Sequence, residues 1–255
     1  MAADPLHIAV EVAREAGSLL MDYLRRPLHI TQKSRRADLV TDADRAAEKL
    51  ILHRLRLEFP TSTIVGEESG THTGTSHDVW YVDPLDGTTN FAHGYPMFCV
   101  SIGFERAGEL VCGVVYAPHF GELYVAQKGA GATLNGEPMS CSSISQVADA
   151  LVCTGFHPAD YERNGEYFKI MSNKAQAVRR DGSAALDLAA VAAGRFDGFW
   201  EFDLSPWDVA AGTVLIRESG GTVSAIDGGA FSVHGRSILA TNVHVDEEMR
   251  AILQF

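Results

Sequence analysis

WYVDPLDGTTNF, residues 80–91, writes an apolar strand and then sets two aspartates three positions apart around a proline. A turn needs only the proline and the glycine, so Asp83 and Asp86 ask for another explanation. Asp83 is poised as the last strand residue, Pro84 stiffens the exit so that the Leu85 carbonyl can face outward, and Asp86 returns a carboxylate to the same side. Gly87 allows close backbone approach, and Thr88-Thr89 opens a helix whose unpaired N–H groups suit a phosphate. Hard oxygen donors with no His or Cys among them suit Mg²⁺ or Mn²⁺ and not zinc.

Working outward, more acids fall in the same kind of place. Glu67 and Glu68 follow the short strand TIV at 63–65, and Asp208 stands at the start of a helix in SPWDVAAG. Strand ends and helix starts are where α/β folds put their ligands. Before them, Asp4-Pro5 reads as a cap and first turn for a helix that ends before Pro27. Thr41 and Asp44 have the spacing of a capping box at the head of a second helix, which runs to Pro60. From Met97 to Leu134, the β-rich runs MFCVSIGFE, ELVCGVVYA and GELYVAQ predict an antiparallel meander. Beyond Pro138 strands and helices alternate again, through SAALDLAAVAAG, DGFWEF and PWDVAAGTVLIRESGG. The fold class is therefore α/β, with an antiparallel meander in the first half and alternating strands and helices in the second. A soft boundary near 138–148 separates an N-terminal half, 1–140, holding most of the acids from a C-terminal half, 141–255, holding the last one.

Composition narrows the function classes. The chain has 255 residues, 46% of them hydrophobic, which is enough to bury a full core. A net charge of −12 disfavours nucleic acid or an anionic membrane surface as the primary partner. Cys99, Cys112, Cys141 and Cys153 form no CxxC pair and sit among apolar or small residues, so reduced thiols in a cytoplasmic setting are expected. Glu11, Arg14 and Glu15 interrupt the first apolar run, and no stretch is long enough to span a bilayer, so neither export nor membrane insertion is expected.

In order and spacing, GEES, WYVDPLDGTTNF and PWDVAAG, with KSRRADLVTDAD ahead and RRDGSAALDLAAVAAGRFDGFWEF before the last, resemble the inositol monophosphatase family of Mg²⁺-dependent, lithium-sensitive phosphatases. The resemblance spans most of the chain, and the second half looks more like the bacterial members. It implies an inositol-monophosphatase/fructose-bisphosphatase-like fold of alternating helix and sheet layers, a homodimer, and hydrolysis of inositol monophosphate by a metal-activated water. Fructose 1,6-bisphosphate, histidinol phosphate and nucleotide phosphates are variants within the same chemistry. By the same resemblance Glu67, Asp83 and the Leu85 carbonyl hold a first metal, and Asp83, Asp86 and Asp208 a second. Two or three Mg²⁺ are implied, with Mn²⁺ as a substitute; a third near Glu67 would balance the four carboxylates together with a phosphate dianion. Thr88 with Asp44 positions or activates the water, Glu68 stands behind the ligands, and Lys33, Gly87 and Thr88 lie at the phosphate. Arg180, Gly182, Ser183, Ala184, Glu201 and Asp208 face the small phosphorylated polyol or sugar. Asp203 departs from the family, which commonly has glycine there, and could alter the charge of the pocket. A different class of function, a scaffold docking on a partner through KSRR at 33–36, is separated from the enzyme by Asp86→Asn, which spares a scaffold and abolishes turnover.

Overall fold

The computed structural model describes residues 3–26, 29–32, 39–156 and 161–254. Asp4 accepts the Leu6 N–H at 3.1 Å and Pro5 takes the first helical position, starting α1 (Pro5–Tyr23). Strands β1 (Ile30–Gln32) and β2 (Leu39–Thr41) pair antiparallel and lead into α2 (Asp42–Glu58). Its cap is reciprocal: Thr41 Oγ1 accepts the Ala43 and Asp44 N–H groups while Asp44 accepts the Thr41 N–H.

Next come β3 (Thr63–Gly66), β4 (Gly70–His72), β5 (Asp78–Asp86) and the single-turn α3 (Thr88–Ala92). The meander β6 (Cys99–Arg106), β7 (Glu109–Ala117), β8 (Glu122–Gln127), β9 (Gly131–Leu134) and β10 (Glu137–Pro138) completes an eight-stranded sheet ordered β10-β9-β8-β7-β6-β5-β3-β4. The sheet is mixed and not wholly antiparallel, because β3 and β5 run parallel. Between them, β4 folds back along the outer edge of β3 before the chain crosses to the inner side.

The second sheet alternates strands and helices: β11 (Leu151–Thr154), α4 (Tyr161–Ser172), β12 (Ala177–Arg179), α5 (Ala184–Ala192), β13 (Gly198–Phe202), α6 (Pro206–Glu218), β14 (Thr222–Ser224), β15 (Ser237–Thr241) and α7 (Asp246–Leu253). Its order is β12-β11-β13-β15-β14, with parallel pairs around β11 and antiparallel pairs around β15. Five layers result. Helices α1 and α2 cover the outer face of the large sheet, α5 and α6 fill the space between the sheets, and α4 and α7 cover the far face of the small one. Each of the three interfaces has its own apolar core, led by Trp80 and Phe104, by Leu188 and Leu215, and by Trp200 and Met249.

The central layer explains the run VAAG after Asp208. A Cβ on Gly113 would lie 2.4 Å from the Ala211 carbonyl oxygen, and one on Gly103 2.7 Å from the Ala210 Cβ. Small residues on both partners let α6 lie directly on β6 and β7, which fixes the height of its N-terminus over the end of β5. All four cysteines are free thiols. No described helix is long and apolar enough to cross a membrane.

Candidate active site

The pairing register of β5 with β6 puts the two aspartates of the opening motif on one face. Asp83 lies opposite Ser101 and Asp86 opposite Cys99, so three steps along β5 match two along β6. The extra residue is a β-bulge at Pro84-Leu85, and it turns two side chains that would alternate onto one side. The strand therefore continues to Asp86 and does not stop at Asp83, as expected from sequence. Gly66 pairs with Val82, and the Glu67 N–H donates to the Val82 carbonyl at 3.2 Å, so Glu67 emerges next to Asp83. Asp208 arrives from α6, where its carboxylate accepts the Ser205 N–H at 2.7 Å as part of a capping box. Ser101 donates to the Trp207 carbonyl at 3.3 Å and so links the strand opposite Asp83 to the turn that carries Asp208.

The electrostatics follow from this convergence. Burial, and then the charges of Glu67, Asp86 and Asp208, push the Asp83 carboxyl well above the ordinary range. Burial also raises Asp208, with Asp86 and Glu67 adding to the shift. Burial raises Asp86 too, against hydrogen bonds from Ser183 Oγ and the Ala185 N–H, both at 2.7 Å to Oδ2. In the rotamers present, no three acid, His or Cys side chains among the described residues grip a common point. The donor chemistry nevertheless fits divalent hard cations. Acids held at strand ends and one helix start raise one another's pKa here, a repulsion that a divalent cation relieves.

Next to them, Thr88 Oγ1 lies 2.9 Å from Asp44 Oδ1 and 3.1 Å from the Leu85 carbonyl, so its one proton has two acceptors. Asp44 is fully buried and its Oδ2 is held by the Thr41 N–H at 2.8 Å and by the Thr41 hydroxyl at 2.5 Å. Burial raises its pKa against those hydrogen bonds and the one from Thr88. Gly87 precedes α3 with φ of +90°, and a Cβ there would lie 2.6 Å from the Met97 carbonyl oxygen. Only glycine suits both conditions.

Beside the acids lies a cavity of about 160 Å³, whose lining includes Asp86, Arg180, Gly182, Ser183, Ala184, Glu201 and Asp208. The structure thus gathers into one recess residues that sequence reading took from four separate stretches. Glu201 is buried, and its carboxyl is pushed well up by burial and then by Asp208 and Asp86, with Arg180 and a Gly155 backbone hydrogen bond pulling it down. Glu68 lines a groove along α2 with Arg45 and Lys49, and Lys33 lies outside the described residues, as does KSRR. Asp203 does not line the cavity; it ion-pairs with Arg236 at 2.9 Å, so its charge is directed away. Its φ of +55° is the left-handed geometry that favours glycine, which accounts for glycine as the usual occupant.

Three residues escaped the sequence reading. Glu48, one helical turn after Asp44, accepts the Glu68 and Ser69 N–H groups at 2.9 and 3.3 Å and so shapes the turn that carries Glu67. The i,i+4 spacing from Asp44 was the available signal. Asn90 donates to the Met97 carbonyl at 2.7 Å and to the Asp181 carbonyl at 2.8 Å, tying α3 to the loop of the cavity wall. Nothing local announces that role. Asp187 lines the cavity and is the only charged residue of α5, a mark that was visible in the sequence.

Comparison with known proteins shows what the whole chain is similar to. The family model described as the inositol monophosphatase family matches residues 3–254. An inositol-1-monophosphatase of Synechocystis is 42% identical over 97% of this chain and 88% of its own. The protein called Nus factor SuhB in Escherichia coli K12 is 43% identical over 96% of this chain and 94% of its own. Among solved structures, the extragenic suppressor protein suhB of Bartonella henselae superposes with a TM-score of 0.93 at 38% identity, covering 97% of each chain.

Proposed function

The chain belongs to the inositol monophosphatase family, and we propose that it is a metal-dependent phosphomonoesterase that releases phosphate from inositol monophosphate or a closely related polyol phosphate. The observation that carries this reading is the bulge in β5. It brings Asp83 and Asp86 to one face beside Glu67 and Asp208, at the mouth of a recess lined by Glu201 and Arg180.

The residues that would hold the cations are Glu67, Asp83 and the Leu85 carbonyl for one, and Asp83, Asp86 and Asp208 for another. We take these to be two or three Mg²⁺, with Mn²⁺ as a substitute. When bound, such ions supply Lewis-acid stabilisation to the entering and leaving oxygens of an in-line displacement. The chain does the rest. Thr88 and Asp44 orient the attacking water and receive its proton, because Asp44 Oδ1 is the oxygen that Thr41 leaves free. The first amides of α3 face the phosphate. Glu201, Ser183, Ala184 and Arg180 surround the leaving polyol. Lithium sensitivity and a homodimer belong to the same proposal, on the strength of family membership.

The test is phosphate release from inositol 1-phosphate, fructose 1,6-bisphosphate, histidinol phosphate and nucleotide 2′- and 3′-phosphates, with Mg²⁺ and with chelator. We expect turnover of inositol 1-phosphate that chelator abolishes and that Asp86→Asn reduces by at least ~10³-fold while the protein stays folded. No turnover of any compound by folded, Mg²⁺-binding protein would overturn the assignment. A second reading, as a binding partner in a larger assembly, is favoured by the name of the E. coli relative. In that case Asp86→Asn leaves the biological effect in place.

A further inference from the structure

Asp187 is 1% exposed, and its Oδ1 has no hydrogen-bond partner among the described residues. An unpartnered carboxylate oxygen in the interior is strongly unfavourable, and α5, with the sequence AALDLAAVA, would pack well with an apolar residue there. Its position makes sense of it. Ser183 stands at the N-cap position of α5 and donates to Asp86, while Asp187 lies four residues further on and therefore on the same helix face, one turn along, and lines the same recess. Across the recess stands Glu201, which lies so close to Gly155 that a Cβ there would meet its carboxylate oxygens at 2.1 and 2.3 Å. The recess therefore offers acceptors from two elements, α5 and β13, with Arg180 as the one cation among its described lining residues. Such a lining matches a ligand rich in hydrogen-bond donors and carries more negative than positive groups.

We propose that Asp187 is a specificity-determining residue, which with Glu201 accepts hydrogen bonds from neighbouring hydroxyls of a neutral polyol and disfavours a second phosphate at that end of the substrate. The inference rests on the phosphomonoesterase reading and adds to it one residue that selects for the uncharged, hydroxyl-bearing end of the substrate. In the bound state Oδ1 gains the partner it lacks, so the energy withheld in folding is recovered as selectivity.

The experiment compares the parent with Asp187→Leu and with the shape-conserving Asp187→Asn on inositol 1-phosphate, p-nitrophenyl phosphate, histidinol phosphate and fructose 1,6-bisphosphate. For Asp187→Leu, the ratio of kcat/KM on inositol 1-phosphate to that on p-nitrophenyl phosphate, which has no hydroxyls, is expected to fall about tenfold, carried by KM. For Asp187→Asn, which removes the charge and keeps an acceptor, the same ratio falls about threefold, while fructose 1,6-bisphosphate gains relative to inositol 1-phosphate. If both ratios stay at the parental value in Asp187→Asn, the residue is structural and the inference is overturned, whether or not the leucine variant folds. A loss selective for the cationic histidinol phosphate overturns the polyol assignment. A parent that hydrolyses none of the four overturns the phosphatase reading itself, and this inference with it.

Discussion

Asp44 and Thr88 form the smallest unit of the site with a chemical consequence. Thr41 holds one oxygen of Asp44 and so leaves the other to Thr88, whose hydroxyl is also within reach of the Leu85 carbonyl. A hydroxyl with two acceptors can pass its proton to Asp44 as it receives one, which is what a water-activating relay requires. Thr88→Val keeps the volume and removes the relay. We expect kcat to fall about 10²-fold with Mg²⁺ affinity by calorimetry held within a few-fold of the parent; an equal loss of Mg²⁺ binding would place Thr88 among the ligand supports instead. At this scale the sequence was informative wherever a local rule applied. Thr41 and Asp44 were readable because capping is a matter of spacing. Asn90 was not readable, since its acceptor at Asp181 is supplied by a loop 91 residues away. Glu48 and Asp187 fall between these cases: the i,i+4 spacings were present, but their meaning depends on what faces the helix.

Among elements, α6 shows how packing distant from the chemistry places a ligand. Asp208 stands over the end of β5 only because Ala210 and Ala211 rest on Gly103 and Gly113 without intervening side chains. Gly113→Val forces the helix outward, since its new Cβ starts 2.4 Å from a backbone oxygen that cannot turn aside. Overpacking of this kind costs about 1–3 kcal/mol, a fall of a few degrees in Tm for a chain of this size. The site should suffer more than the fold. We expect Mg²⁺ affinity to drop at least ~10-fold at temperatures where circular dichroism still reports native structure, because the metal set tolerates little displacement. Unchanged affinity beside a lowered Tm would show that the helix end does not follow its middle. The bulge was anticipated in its effect, since a proline cannot donate to the ladder, but the extension of β5 through it was not. The parallel pairing of β3 and β5 was hidden for a related reason. Parallel neighbours usually declare themselves by a crossover helix, whereas here a three-residue edge strand, β4, makes the return.

For the whole molecule, the buried acids make stability a function of pH and of cations together. Asp83 and Asp208 are held well above the ordinary carboxylate range, first by burial and then by neighbouring acids. A carboxyl with a higher pKa folded than unfolded binds more protons in the folded state, so the stability it contributes is complete below the unfolded value of about 4. That contribution is lost as pH rises through the folded value. Without divalent cations, Tm should therefore fall as pH rises from the ordinary carboxylate range toward neutrality, other groups being equal. A cation that binds only the folded state stabilises by mass action, and it binds the ionised carboxylates, so protonation competes with it. The stabilisation by saturating Mg²⁺ must therefore grow with pH. Thermal unfolding at pH 5, 6.5 and 8, each with Mg²⁺ and with chelator, measures that gap directly. A widening gap, accompanied by proton release on Mg²⁺ binding in a weakly buffered titration, is the expected result. A gap of constant width would mean that the four carboxylates are fully ionised without the cation, and that mutual repulsion has no hold on their protons in the folded protein.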